Sequence, residues 1–299
     1  MIVRGEVDPL QLGAFLMLLR VKEETAHELA GFVEACRANM KPPPPGLHAD
    51  LDWPSYAGKK HQHPWYILSL LLLSQAGYRI FIHGSTGHNS TRLYTETAFS
   101  RLGLPIAAHW QDVSQQLNTD GLSYLPLQQF CQRADQLLQL RPLLGLRSPV
   151  NSLVRLLNPL EAPCALHSIF HPAYGQLHQE ADCILGQPRA LVFKGDSGEI
   201  EIKPQANTRL LFLEGDNKTE ITRSRSLKQR IPPVASPCIE PLVAMWRGDS
   251  EDVYGLEATL ATAAATLALL TPGTSLETTN EQARQLWHGR DKTRLAQCP

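Results

Sequence analysis

The sequence predicts an α/β protein: a small all-helical domain at the amino terminus, then a large α/β domain with a mostly parallel central sheet flanked by helices. Three observations predict it. Residues 5–40 place apolar side chains at helical spacing. The tract KPPPPG (41–46) then breaks the pattern, because four prolines cannot continue a helix and favour extended polyproline geometry. After it, short apolar runs alternate with helical segments closed by glycine, the pattern of a doubly wound sheet. The expected boundaries are 1–45 for the helical domain and 46–299 for the α/β domain, with helices around 125–158 packing back on the first.

Asp8-Pro9 starts the first helix, with proline in the first turn, where its missing N–H costs nothing. Leu12, Phe15, Leu16 and Leu19 form its apolar face, and Leu29, Phe32 and Val33 that of a second helix after the turn at 21–25. WPSYAGKK (53–60) reads as a loop. YILSLLLLSQAG (66–77) is an apolar helix ending at Gly77, and YRIFIHG (78–84) a short strand. STRLYTETAFSRLG (90–103) is a helix with a Ser/Thr start, LPIAAHW (104–110) a strand candidate, and 122–145 mostly helical. SPVNSLVRLLNPL (148–160) is another helix. PCALHSIF (163–170) and RALVFKG (189–195) are strand candidates around a helix at 171–186. GEIEIKP (198–204) and TRLLFLEGD (208–216) read as a later pair of strands, with GDSGE (195–199) as a hairpin turn. NKTEITRSRSLKQR (217–230) suits a mobile polar loop, and LEATLATAAATLALL (256–270) a core helix. No apolar run reaches the roughly 18 residues of a membrane span, so a soluble, cytoplasmic protein is expected.

The net charge of −1, from 28 basic and 29 acidic residues, excludes a bulk attraction to polyanions. Any nucleic-acid binding must come from local patches. The six cysteines form no CxxC pair and match no zinc spacing, so free thiols and no metal are expected. No catalytic triad, Walker loop or dinucleotide fingerprint is present.

Three segments carry a resemblance. LGAFLMLLRVKEETAHELAGFVEACR (12–37) resembles the amino-terminal helical segment of anthranilate phosphoribosyltransferases and pyrimidine nucleoside phosphorylases. FIHG (81–84) stands where that family has Lys-His-Gly-Asn, and RPLLGLRSPVNSLVRLLNPL (141–160) is similar to its Arg-x-x-Leu-Gly-x-Arg segment. A helix that usually precedes the first segment has no counterpart here. The family's pyrophosphate loop, Gly-Thr-Gly-Gly-Asp, corresponds to WPSYAGKK: Pro54 lacks the N–H of an amide nest, Gly58 is the single glycine, and Lys59 replaces the aspartate. Ile82 and Ser85 replace the lysine and asparagine around His83-Gly84. The family's magnesium-holding Asp-Glu pair falls near Ile200-Glu201, leaving one carboxylate, with Glu199 two residues before it.

The resemblance thus implies a degenerate phosphoribosyl site of Tyr56, Gly58, His83, Gly84, Ser85, Arg141 and Glu201, without a confident catalytic residue and without anthranilate phosphoribosyltransferase activity. The Pro-Ser-Tyr-x-Gly-x-Lys-Lys loop and the Arg-Leu-Tyr-Thr-Glu-Thr helix (92–97) resemble the family's nucleic-acid-binding branch, homodimers that bind DNA and RNA with little sequence preference. On that reading Lys59 and Lys60 contact phosphates beside Tyr56, and Lys218, Arg223, Arg225, Lys228 and Arg230 form a basic run. Arg147 and Arg155, with Arg133 and Arg141, form a basic wall of the same groove. Each run also has a plain reading as solvated surface. The rival is a pentosyltransferase with an unknown acceptor, and magnesium is expected only in that case. A scaffold for a protein partner rests on the proline tract alone.

Overall fold

A computed structural model describes residues 1–87 and 89–295. Helix α1 (Pro9–Lys22) is capped by the Asp8 carboxylate, which accepts from Leu10 N at 2.8 Å. Helix α2 (Ala26–Arg37) opens on a capping box in which Thr25 and Glu28 satisfy each other's backbone N–H. The chain then builds β1 (Leu51–Ser55), α3 (Tyr66–Gln75), β2 (Ile80–Gly84), α4 (Thr95–Arg101), α5 (Trp110–Thr119) and β3 (Leu122–Pro126). Four short helices follow: α6 (Leu127–Phe130), α7 (Gln132–Leu138), α8 (Arg141–Leu144) and α9 (Val150–Leu153). The rest is β4 (Cys164–Ile169), α10 (Tyr174–Ile184), β5 (Arg189–Lys194), β6 (Thr208–Glu214), β7 (Asn217–Arg223), α11 (Glu240–Arg247), α12 (Val253–Leu270) and α13 (Leu276–His288).

The seven strands form one sheet in the order β3-β2-β1-β4-β5-β6-β7. The first five are parallel, and β6 and β7 are added antiparallel. Strand order reverses between β1 and β4. In such sheets the crevice beyond the carboxyl ends at the reversal is where ligands bind. The loops after β1, β2 and β5 meet there.

Alternation along the strands feeds two cores. Ile80 and Ile82 face a cluster with Trp53, Leu166, Leu191 and the apolar residues of α3 and α12. Phe81 faces the other, with Leu12, Leu16, Leu29 and Val33 of α1 and α2 and with Phe130, Val150 and Leu153. Arg37 ties α2 to this region by donating to the carbonyls of Leu157 (2.8 Å) and Leu156 (3.0 Å).

Five local expectations are corrected. WPSYAGKK begins inside a strand: β1 is central, and its ladder to β4 covers only Leu51 and Asp52, so Pro54 sits where no partner needs its N–H. LPIAAHW is no strand; only Ile106 bridges Tyr124, and the helix starts at Trp110. Residues 122–126 are β3 rather than helix, buried at every position. GEIEIKP crosses the carboxyl edge outside the ladder, since β6 takes β5 and β7 as neighbours. NKTEITR is strand β7, not a mobile loop. In addition, α12 is 18 residues long with mean hydropathy 1.5, long and apolar enough to cross a membrane, yet 72% of it is buried inside the protein.

Candidate functional site

The loop after β1 holds a nest of amides, and the chain fills it itself. The Glu199 carboxylate accepts from Ala57 N at 2.7 Å, from Gly58 N at 2.5 Å and from Ser55 Oγ at 2.6 Å. Gly58 has φ 68°, and a Cβ there would meet the Tyr94 ring at 3.0 Å. Arg92 sews the loop from outside, donating to the carbonyls of Ala57, Gly58 and Ser197 at 3.0, 2.8 and 3.2 Å. The donors of this loop therefore face a glutamate of the same chain.

The carboxylates meet an internal cation. Lys59 is fully buried, and its ammonium pairs with Asp196 and, at 2.5 Å, with Glu201. The other Glu201 oxygen accepts from Tyr66 N at 2.9 Å. Burial opposes the Lys59 charge, but Glu201 and Asp196 outweigh it and raise its pKa. Burial pushes Glu201 up to about 7, with Lys59 pulling against that rise. Asp196 is lowered: Lys59 overcomes its burial, so Asp196 is the firmer anion of the pair. The residues present do not fit a magnesium ion, because an ammonium stands between the carboxylates that would bind it.

Several expected site residues change role. Lys59 is not a phosphate contact but an internal counter-ion. Glu201 is not a free ligand. His83 is buried, with Nδ1 2.6 Å from the Tyr56 hydroxyl and Nε2 3.3 Å from Asp52. Gly84 cannot carry a side chain, since a Cβ would lie 2.1 Å from the Ser55 carbonyl oxygen. Ser85 donates to Asp135 at 2.5 Å. Arg155 is no surface cation: its Nη1 is buried, without a hydrogen-bond partner. Lys218 and Arg223 lie on β7 and do not line the cleft described next.

Two concavities flank the closed loop. The larger, about 860 Å³, is lined by Lys60, Arg92, Lys194, Lys203, Arg209, Arg225, Lys228 and Arg230, and by one carboxylate, that of Asp196. Lys59 neutralises that carboxylate from below, and Arg209 is held by Glu220 at 2.6 Å. Among the described residues the exposed side chains of Lys60, Lys194, Lys203, Arg225, Lys228 and Arg230 have no ion pair. Four of these are expected from the sequence. Sequence reasoning misses Lys194 and Lys203, although Lys194 ends a parallel strand at the carboxyl edge, the position that signals a ligand. The smaller pocket, about 480 Å³, is lined by Tyr56, Ser85, Tyr94, Arg141 and Arg147 among others. Burial, then Arg141, Arg155 and Arg92, lower the Arg147 guanidinium to about 10.

Comparison with known proteins fits this geometry into a wider group. Residues 1–40 match the glycosyl transferase family, helical bundle domain. The uncharacterised protein YbiB of Escherichia coli K12 is 32% identical over 208 residues, 68% of this chain and 64% of its own length. The anthranilate phosphoribosyltransferase of Desulfitobacterium hafniense DCB-2 is 28% identical over 216 residues, 72% of this chain and 63% of that enzyme. The chain thus aligns with slightly less than two thirds of the length of these curated relatives. Among solved structures, anthranilate phosphoribosyltransferase from Thermus thermophilus superposes with TM-score 0.79 at 21% identity, covering 99% of this chain and 89% of that one. The Saccharomyces cerevisiae enzyme, in complex with PRPP and Mg, gives TM-score 0.79 at 15% identity, covering 96% and 82%. The chain therefore has the fold seen in anthranilate phosphoribosyltransferases, and its first 40 residues match the helical bundle domain of the glycosyl transferase family.

Proposed function

We propose that the protein binds nucleic acid along the basic cleft, through phosphate contacts with little dependence on sequence. The observation that carries this reading is the cleft beside a self-filled nest: six exposed, unpaired cations converge where the donor loop has been closed by Glu199. Lysine and arginine on phosphates release counterions, so affinity falls with salt. Six contacts to a single strand correspond to a slope of log K against log salt of about −4. Replacing Arg225, Lys228 and Arg230 by Gln takes away three and brings the slope to about −2. An anisotropy titration across salt measures both. No binding at low salt overturns the reading. On the same reading the protein acts in the cytoplasm as a homodimer, and α1 offers Leu10, Leu18 and Val21 to a second copy, at 84%, 70% and 80% exposure.

The alternative is pentosyl transfer from a phosphorylated ribose donor, and the relatives named as anthranilate phosphoribosyltransferases favour it. Against it stand the occupied amides and the lysine between the carboxylates. Calorimetry with phosphoribosyl pyrophosphate, with and without magnesium, separates the two. The expected result is no metal-dependent heat. Micromolar, magnesium-dependent binding reverses the ranking.

A further inference from the structure

The smaller pocket has a composition that the cleft alone does not explain. Arg141 and Arg147 line it, no carboxylate does, and among the described residues neither guanidinium has a hydrogen bond or ion pair. Arg141 is exposed, but half-burying the Arg147 guanidinium beside it without an anion is costly, because that charge loses water and gains only repulsion. Arg147 is half-buried, and its charged neighbours are Arg141, Arg155 and Arg92. An anion is the missing partner, and a planar fork of N–H donors suits a phosphate.

The pocket also offers an aromatic wall. Tyr94 is half-buried along it and wedged between two glycines: a Cβ on Gly58 would meet its ring at 3.0 Å, and one on Gly87 its hydroxyl at 2.4 Å. A ring held in this way is a ready stacking platform. The volume of about 480 Å³ lies in the range that accepts one small ligand, and a duplex cannot enter it. The pocket and the basic cleft share a wall, because Arg92 lines the cleft and grips the carbonyl of Ala57, which lines the pocket.

We propose that this pocket receives the terminal nucleotide of a single strand lying in the cleft, with Arg141 and Arg147 on its end phosphate and Tyr94 against its base. The inference rests on the nucleic-acid reading and deepens it from sequence-independent binding to recognition of single-stranded, phosphorylated ends. A blunt duplex is then a poorer ligand than a strand of the same length.

The test uses the full chain and labelled oligonucleotides of one sequence: single strands with a 5′-phosphate, a 3′-phosphate or hydroxyl ends, and a blunt duplex. Anisotropy at fixed salt should show one phosphorylated end binding about tenfold more tightly than hydroxyl ends. The variants Arg141→Gln and Arg147→Gln should each remove most of that difference. Both should keep hydroxyl-ended binding and its salt slope, and wild-type melting temperatures in both variants show that they are folded. Arg225→Gln should do the reverse, weakening all strands alike. Equal binding of phosphorylated and hydroxyl ends, or a preference for the duplex, overturns this inference and leaves the cleft reading standing. Loss of all strand binding at low salt overturns both. Free nucleoside monophosphate should compete only with the phosphorylated strand. If it binds in an Arg147-dependent way while strand ends show no advantage, the ligand is a free nucleotide and the strand-end proposal fails.

Discussion

Lys59→Met separates the internal role of this lysine from a role on nucleic acid. Lys59 and Glu201 are fully buried and Asp196 is 6% exposed, so no water replaces the lost ammonium. Removing one partner of such a group costs about 3–5 kcal/mol, because uncompensated charge remains. Methionine keeps much of the volume, so little is added for a cavity. With an unfolding entropy of about 2.1 cal/mol/K per residue, the melting temperature should fall by roughly 5–8 °C for a chain of this length. Urea unfolding followed by tryptophan fluorescence gives the free energy, and anisotropy on a single strand gives the affinity. The expected pattern is lower stability with affinity unchanged within about twofold. Lys60→Gln, on the exposed neighbour, should give the opposite pattern. Adding Glu201→Gln to Lys59→Met should recover part of the loss, since one buried charge goes with it. Wild-type stability in Lys59→Met, or a folded variant with weaker binding, refutes the assignment of this lysine to the interior.

Three further outcomes follow. Glu199→Ala leaves Ala57 N, Gly58 N and Ser55 Oγ without their shared acceptor and should cost about 2–4 kcal/mol; millimolar phosphate should restore part of it in a thermal melt, and no effect of phosphate would mean that the nest is closed to anions for another reason. His178 is buried, its Nδ1–H donates to the Tyr174 carbonyl at 2.9 Å, and burial with His167 nearby lowers its pKa to about 3. A depressed value favours the neutral ring in the folded state, so this contribution is full above the ordinary histidine pKa of 6.5 and is lost as pH falls toward about 3; His178→Gln should flatten the loss of melting temperature between pH 6.5 and 4. Leu18→Glu, on an exposed site of α1, should shift the proposed dimer toward monomer in light scattering without changing the melting temperature of the monomer.

The sequence made the architecture legible where one signal dominated. Pro9 after Asp8, the helical spacing of Leu12 and Leu16, and the glycine-ended run FIHG each named an element that the structure contains. It misled where local composition and tertiary partners disagree. WPSYAGKK reads as a loop, but its first three residues end β1; β4 leaves β1 before Pro54, so no ladder bond is lost there. NKTEITR is polar because β7 is an edge strand with nearly every side chain in solvent, and polarity alone does not distinguish such an edge from a loop. The candidate site divided in the same way. Arg225, Lys228 and Arg230 are near each other in sequence and in space. Lys59 and Lys60 are adjacent in sequence yet point one inward and one outward, and only the position of Asp196 and Glu201, more than a hundred residues later, decides which is which.

The closure of the donor loop also limits which single changes the site tolerates. Lys59→Asp alone would crowd a third carboxylate against Asp196 and Glu201 in a buried space. Freeing the amides by changing Glu199 alone strands three donors. Each single change costs stability, so opening this loop to a ligand needs coordinated changes in two loops distant in sequence. The plug and the internal counter-ion therefore act as an interlock, each constraining replacement of the other, while the exposed lysines and arginines of the cleft, which have no such internal partner, can be exchanged one at a time.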